Sequence, residues 1–233
     1  MKKTIIKFVM AVLVALFSLN ANADKIQIDG IYYYLNDYNQ TAKVVESSSS
    51  FDEKYRGDIT IPASVQYGGT TYKVTSIDNS AFYQCISLNS LIIPEGVTSI
   101  GENAFWESGL KAITIPSSVT SIGSMAFWSC GCSKIYISDL EAWLKIPRST
   151  NTPEYAYTLY LNGEILTDVI IPSSITTIKY KTFAHCISIE SVAIPSSVTS
   201  IGGYAFWGCT GMTSLNIPSS VTSIKSYAFL GCI

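Results

Sequence analysis

Charge is scarce in this sequence. Only 14% of its 233 residues are Asp, Glu, Lys or Arg, and 15 basic residues stand against 17 acidic ones. No basic field for a nucleic-acid backbone can be assembled from that balance. Histidine is scarcer still: His185 is the only one, which excludes His-rich metal sites. There is no Asp-x-Asp calcium series and no glycine-rich phosphate loop after a strand. No pair of carboxylates recurs at a spacing that suits a general acid and its base. Yet hydrophobic residues make up 48%, which excludes intrinsic disorder. The polar surface is therefore built from hydroxyls: Ser and Thr together number 52.

Long apolar runs are missing after the first segment. Residues 1–23 read as a secretory signal, with Lys2, Lys3 and Lys7 as the positive start, an apolar run from Phe8 to Phe17, and Ala21-Asn22-Ala23 as a small-x-small cleavage site. An apolar core of about ten residues is too short to span roughly 30 Å of hydrocarbon. No Cys follows the cleavage site, which argues against a lipid anchor there. The expectation is an exported chain, secreted, periplasmic or at the cell surface, with no membrane span once the signal is removed.

One unit dominates the remainder. Ile-Pro recurs at Pro62, Pro94, Pro116, Pro172, Pro195 and Pro218, with spacings of 32, 22, 56, 23 and 23. Each Pro is followed by Val/Ile-Thr-x-Ile, ending at Ile77, Ile100, Ile122, Ile178, Ile201 and Ile224. Five residues further on stands Phe82, Phe105, Phe127, Phe183, Phe206 or Phe229. Three residues beyond the Phe lies Cys85, Ser108, Cys130, Cys186, Cys209 or Cys232. A constant period with constant apolar positions means coils stacked along one axis, none of which closes a core alone. The segment before each Ile-Pro alternates as a half-buried strand, and Pro ends its ladder. The Val-Thr-x-Ile segment reads as a second short strand, and the Ala-Phe region as one helical or 3₁₀ turn.

The string Ile-Pro-Ser-Ser-Val-Thr-Ser-Ile-Gly-x-x-Ala-Phe-x-x-Cys, nearly whole at 194–209, resembles the BspA-like leucine-rich-repeat proteins. The resemblance covers residues 55–233. It implies a leucine-rich-repeat solenoid, β-rich with short parallel strands, on exported or surface proteins with roles in adhesion and protein binding. It also implies extracellular or host proteins as partners and no shared catalytic site.

Residues 24–54 lack the repeat. Ile26 to Leu35 alternates around Asp29-Gly30, which predicts a β-hairpin covering the first coil, and Ser47–Ser50 reads as a flexible connection. Two insertions interrupt the array. That at about 66–73 carries Gly68-Gly69 between Tyr67 and Tyr72 and predicts a protruding hairpin. That at about 139–166 predicts a helix opened by a Ser138-x-x-Glu141 capping box, a loop with Pro147 and Pro153, and a type I′ hairpin at Asn162-Gly163. The insertion divides the coils into three before and three after. The sequence ends at Ile233, directly after a repeat's Cys. This predicts either a remnant of a longer adhesin or end-to-end self-association through an uncapped last coil.

The reactive residues are absorbed by the repeat. His185 adjoins Cys186, but neighbours on a curved coil diverge, and Cys186 fills a packing position; a hydrolase would need a convergent set that is missing. Five of the six Cys share one repeat position and Cys132 replaces a core leucine, so free, buried thiols are expected. No catalytic residue, cofactor or metal is expected. What remains is surface. The residue after each Phe gives Tyr83, Trp106, Trp128 and Trp207, a possible aromatic ridge. Two residues before each strand-ending Pro stand outward-facing residues that include Ile92 and Thr114, with Tyr136 equivalent before Ser138. These seven are the candidate ligand surface, for protein or, by stacking on sugars, for glycan. The competing reading is that the rings merely pack along the coil edge.

Overall fold

The computed structural model describes residues 25–47, 54–147 and 156–232. The signal segment 1–23, most of the Ser47–Ser50 connection, Pro153 and Ile233 lie outside the described residues.

The chain enters through β1 (Ile26–Ile28) and β2 (Ile31–Asn36), an antiparallel pair joined at Asp29 and Gly30, both at positive φ. β3 (Thr41–Val44) pairs antiparallel with β2. After β4 (Gly57–Thr60), β5 (Ser64–Tyr67) and β6 (Thr70–Ile77) form the first insertion's hairpin, turning at Gly68-Gly69. β3 pairs parallel with β6, so the N-terminal strands and the solenoid share one sheet.

Each later coil then contributes two strands. Before the second insertion these are β7 (Leu88–Ile92) with β8 (Ser99–Ile100), and β9 (Ala112–Ile115) with β10 (Ser121–Ile122), followed by β11 (Lys134–Ile137). Strands β4, β7, β9 and β11 stack parallel in one sheet, and β6, β8 and β10 in another. The helix α1 (Leu140–Lys145), β12 (Thr158–Leu161) and β13 (Glu164–Ile165) make up the second insertion. Three coils follow: β14 (Asp168–Ile170) and β15 (Thr177–Ile178), β16 (Ser191–Ala193) and β17 (Ser200–Ile201), then β18 (Ser214–Asn216) and β19 (Ser223–Ile224). They build two further three-stranded parallel sheets.

The core is a ladder. Phe82, Phe105 and Phe127 stack at centroid distances of 5.6 and 5.2 Å, and Tyr55 starts the row 4.8 Å from Phe82. Phe183, Phe206 and Phe229 form a second row at 5.5 and 5.4 Å. Burial of each fully buried ring, Phe229 excepted, is worth roughly 1.5–3 kcal/mol. Between the two rows lies the insertion, where buried Tyr157 bonds the C-terminal array through its backbone. Its N–H donates to the His185 carbonyl and its carbonyl accepts from the Ile187 N–H, both at 3.0 Å.

Three details depart from the sequence reading. The Ala-Phe corner is not a 3₁₀ turn. In every coil the residues two before and two after the Phe sit at positive φ: Ser80 and Gln84, Asn103 and Glu107, Met125 and Ser129, Lys181 and His185, Tyr204 and Gly208, Tyr227 and Gly231. This alternation turns every second N–H toward the next coil; Ser80, Phe82 and Gln84 donate to the carbonyls of Glu102, Ala104 and Trp106, each at 2.8 Å. The left-handed conformation disfavours most side chains, and these inter-coil bonds hold it. Next, α1 is capped one residue later than the Ser138 box: extended Asp139 accepts from the Ala142 N–H at 3.0 Å. Finally, the second insertion does more than interrupt. β12 pairs parallel with β11 in full register, Lys134 against Thr158 through Ile137 against Leu161, and so adds a strand to the sheet.

Candidate functional site

Alternation along the strands turns one set of side chains into the core and the other onto the open sheet face. At the end of β7, Leu91 and the following Ile93 are buried and Ile92 between them is 48% exposed. Pairing carries that position across the sheet, aligning Thr60, Ile92, Thr114, Tyr136, Tyr160 and Ile165 in one row. Tyr136 and Tyr160 stack with centroids 4.5 Å apart and planes 23° from parallel, and Ile165 is 54% exposed. The row is a stripe of aliphatic and aromatic side chains running across the strands, with Thr60 and Thr114 among them.

Beside it lies a polar row, Asp58, Ser90, Ala112, Lys134 and Thr158. Asp58 accepts from the Ser90 hydroxyl at 2.5 Å and the Asn89 amide at 2.6 Å, and these bonds hold its carboxyl below the ordinary range. After the insertion the same face is blander. Asp168 accepts from the Ser191 hydroxyl, while Ala193 and Asn216 occupy the outer row beside Ile170, which is 73% exposed.

The residues after each Phe do not form one continuous ridge. Tyr83 meets Trp106 edge-on at 6.0 Å, with the Lys54 ammonium 5.6 Å from the Tyr83 ring. Trp106 is half-buried, with its indole Nε1 buried. Trp128 is 37% exposed. Ala184, fully buried, fills the register position in the next array, and Trp207 belongs to a separate group, 4.3 Å from His185 and 5.3 Å from Tyr204. Of the seven expected residues, Ile92, Thr114 and Tyr136 are brought together on the sheet and Tyr83 and Trp106 on the edge.

The sequence reading missed Tyr160 and Ile165. A signal for Tyr160 existed, because Leu159-Tyr160-Leu161 repeats the pattern of Ile135-Tyr136-Ile137.

Cys186 is fully buried, and desolvation raises its thiol pKa, opposite to the shift of an activated nucleophile. All six Cys are free. Cys209 donates to the Phe183 carbonyl at 3.1 Å and Cys232 to the Phe206 carbonyl at 3.0 Å, tying each coil to the one before it. Burial pushes the Cys85 thiol up to about 11. Among the described residues, no group of three or more His, Cys, Asp or Glu is placed to hold a metal ion. No helix of the described residues is long and apolar enough to cross a membrane.

The sequence pattern of the family described as "BspA type Leucine rich repeat region" matches residues 75–149 and 151–233, in six copies. No curated protein matches the chain. Among solved structures, it is similar to a leucine rich cell surface protein from Faecalibacterium prausnitzii, with 29% identity and a TM-score of 0.57. That match covers 91% of this chain and 53% of the other, so the chain spans about half that protein's length. It is also similar in fold to the leucine rich repeat protein of T. pallidum, with 22% identity, a TM-score of 0.54, and coverage of 90% and 89%.

Proposed function

The chain belongs to the BspA-type leucine-rich-repeat family, and from that premise we propose that it is an exported, non-catalytic module that binds proteins at the cell surface. The partner docks across the sheet on the stripe Ile92, Thr114, Tyr136, Tyr160 and Ile165. The observation that carries this reading is the half-buried Tyr136–Tyr160 stack, in a row whose ends carry exposed Ile92 and Ile165. Aromatic side chains dominate the energetics of protein interfaces, and a rigid stacked pair loses little rotamer freedom on binding. Aliphatic and aromatic side chains grouped on one face mark an interaction surface more strongly than scattered single residues do.

Export is supported by the signal pattern at 1–23 and by the similarity to a leucine rich cell surface protein of F. prausnitzii. Adhesion follows from where such a face would be displayed. The test is binding of the purified chain to a panel of purified extracellular-matrix proteins, comparing wild type with Tyr136→Ala/Tyr160→Ala and with Trp106→Ala/Trp128→Ala/Trp207→Ala. The stripe variant is expected to lose at least tenfold in affinity. Binding that survives it and fails in the Trp variant would move the interface to the edge.

A further inference from the structure

The C-terminal coils carry a feature that the sheet face does not use. From Asp168 to Cys232 the chain has three lysines, Lys179, Lys181 and Lys225, and two acids, Glu190 and Asp168, the latter in β14 on the sheet face. The whole sequence, by contrast, has more acidic than basic residues. All three lysines lie just after a second strand, at the corner following β15 or β19, whereas Glu190 lies beside β16 on the sheet side. The positive charge is thus concentrated on one edge. Lys179 donates to the Lys145 carbonyl, which brings α1 to this corner; the acid on that helix, Glu141, is paired with Lys145 at 2.6 Å.

The same corner holds rings. Tyr180 meets Tyr204 at 5.8 Å, Tyr204 meets Tyr227 at 5.0 Å, and Trp207 stands against Tyr204. One tyrosine per coil therefore runs parallel to the solenoid axis, with Tyr180 exposed and Tyr227 57% exposed. The Lys181 ammonium lies 5.7 Å from the Tyr180 ring and 5.8 Å from the Trp207 ring. Gly203 lies against this corner: a Cβ there would stand 3.2 Å from the Ser226 carbonyl oxygen and in ordinary contact with the Tyr180 ring at 3.6 Å.

We propose that this edge, Tyr180, Lys181, Tyr204, Trp207, Lys225 and Tyr227, is a second binding site that takes an acidic polysaccharide. Sugar rings lie along the tyrosine track through their C–H faces, and their sulfate or carboxylate groups meet Lys181 and Lys225. Charge complementarity supplies the sign of the ligand. The shape supplies its class. One ring per coil, Tyr180, Tyr204 and Tyr227, makes a linear repeat that a chain of sugar rings matches unit by unit. The site is separate from the sheet stripe and does not depend on it.

The experiment is isothermal titration of the purified chain with heparin, with uncharged dextran, and with polyglutamate as an acidic polypeptide, at low and at physiological salt. Heparin is expected to bind and to weaken as salt rises, dextran not to bind, and polyglutamate to bind at least tenfold more weakly than heparin. Tyr180→Ala/Tyr227→Ala and Lys181→Gln/Lys225→Gln should each lose at least tenfold for heparin. Both tyrosines are exposed, so an unchanged thermal midpoint certifies the fold; Tyr227→Ala alone with Lys225→Gln serves if the first pair is destabilised. Tyr136→Ala/Tyr160→Ala should leave heparin binding unchanged, which keeps this result apart from the fate of the sheet stripe. No heparin binding, equal binding of polyglutamate, or heparin binding indifferent to the tyrosines would each overturn the proposal.

Discussion

Phe105→Ala is the sharpest probe of the stacked core. The ring is fully buried and stands between two others, 5.6 Å from Phe82 and 5.2 Å from Phe127. Its removal costs the transfer free energy of the ring plus a cavity flanked on both sides, about 3–5 kcal/mol. In a nearest-neighbour array the loss falls on two coil interfaces at once. Phe229 occupies the same repeat position in the last described coil, but it is only partly buried and has one ring partner, Phe206 at 5.4 Å. Phe229→Ala should cost about 1–2 kcal/mol. Urea unfolding followed by circular dichroism gives both numbers, provided the denaturant slope is unchanged. Equal losses, or a larger loss at Phe229, would refute the account of the core as a ladder closed by its neighbours.

Other consequences follow from single side chains. Ser108 holds the position that is Cys in the other five coils, and its hydroxyl is buried with no hydrogen-bond partner; Ser108→Cys should therefore raise stability by about 1 kcal/mol, read from the urea midpoint. Gly109 packs against the preceding coil, where a Cβ would stand 2.0 Å from the Ile86 carbonyl oxygen, so Gly109→Ala should destabilise by about 3 kcal/mol. The buried thiols make the fold sensitive to alkali. With Cys85 raised from 9.0 to about 11 in the folded state, its contribution is complete below pH 9 and falls as pH rises toward 11, by about 1.4 kcal/mol per pH unit in that window. Cys85→Ala should flatten part of that decline, and a wild-type stability constant from pH 8 to 11 would contradict it.

The repeat made the coil and its core legible from residue types alone, because Phe105 and Ile100 recur at fixed spacing and are buried in every copy except the last, where Ile224 is exposed and Phe229 half-buried. The corners were not legible. Ser80, Glu107, Met125 and Lys181 share no local preference for positive φ, and what holds them there is a bond to the next coil. The cap of α1 was ambiguous between Ser138 and Asp139, since both residue types cap well. Tyr160 was read only as part of a hairpin, which β12 and β13 do form. Its place beside Tyr136 depends on the parallel pairing of β12 with β11 across the insertion, and no local pattern encodes that. The tyrosine track was hidden for a similar reason: Tyr180 stands three residues before its Phe, whereas Tyr204 and Tyr227 stand two before theirs, so register alone does not align them.

The central claim is that the sheet stripe carries the protein-binding function. Its most direct measurement is the affinity of Tyr136→Ala/Tyr160→Ala for a matrix protein that the wild-type chain binds, determined by surface plasmon resonance on folded protein. A loss of at least tenfold, carried mainly in the dissociation rate, is predicted. Unchanged affinity in a variant with the wild-type unfolding midpoint would contradict the account.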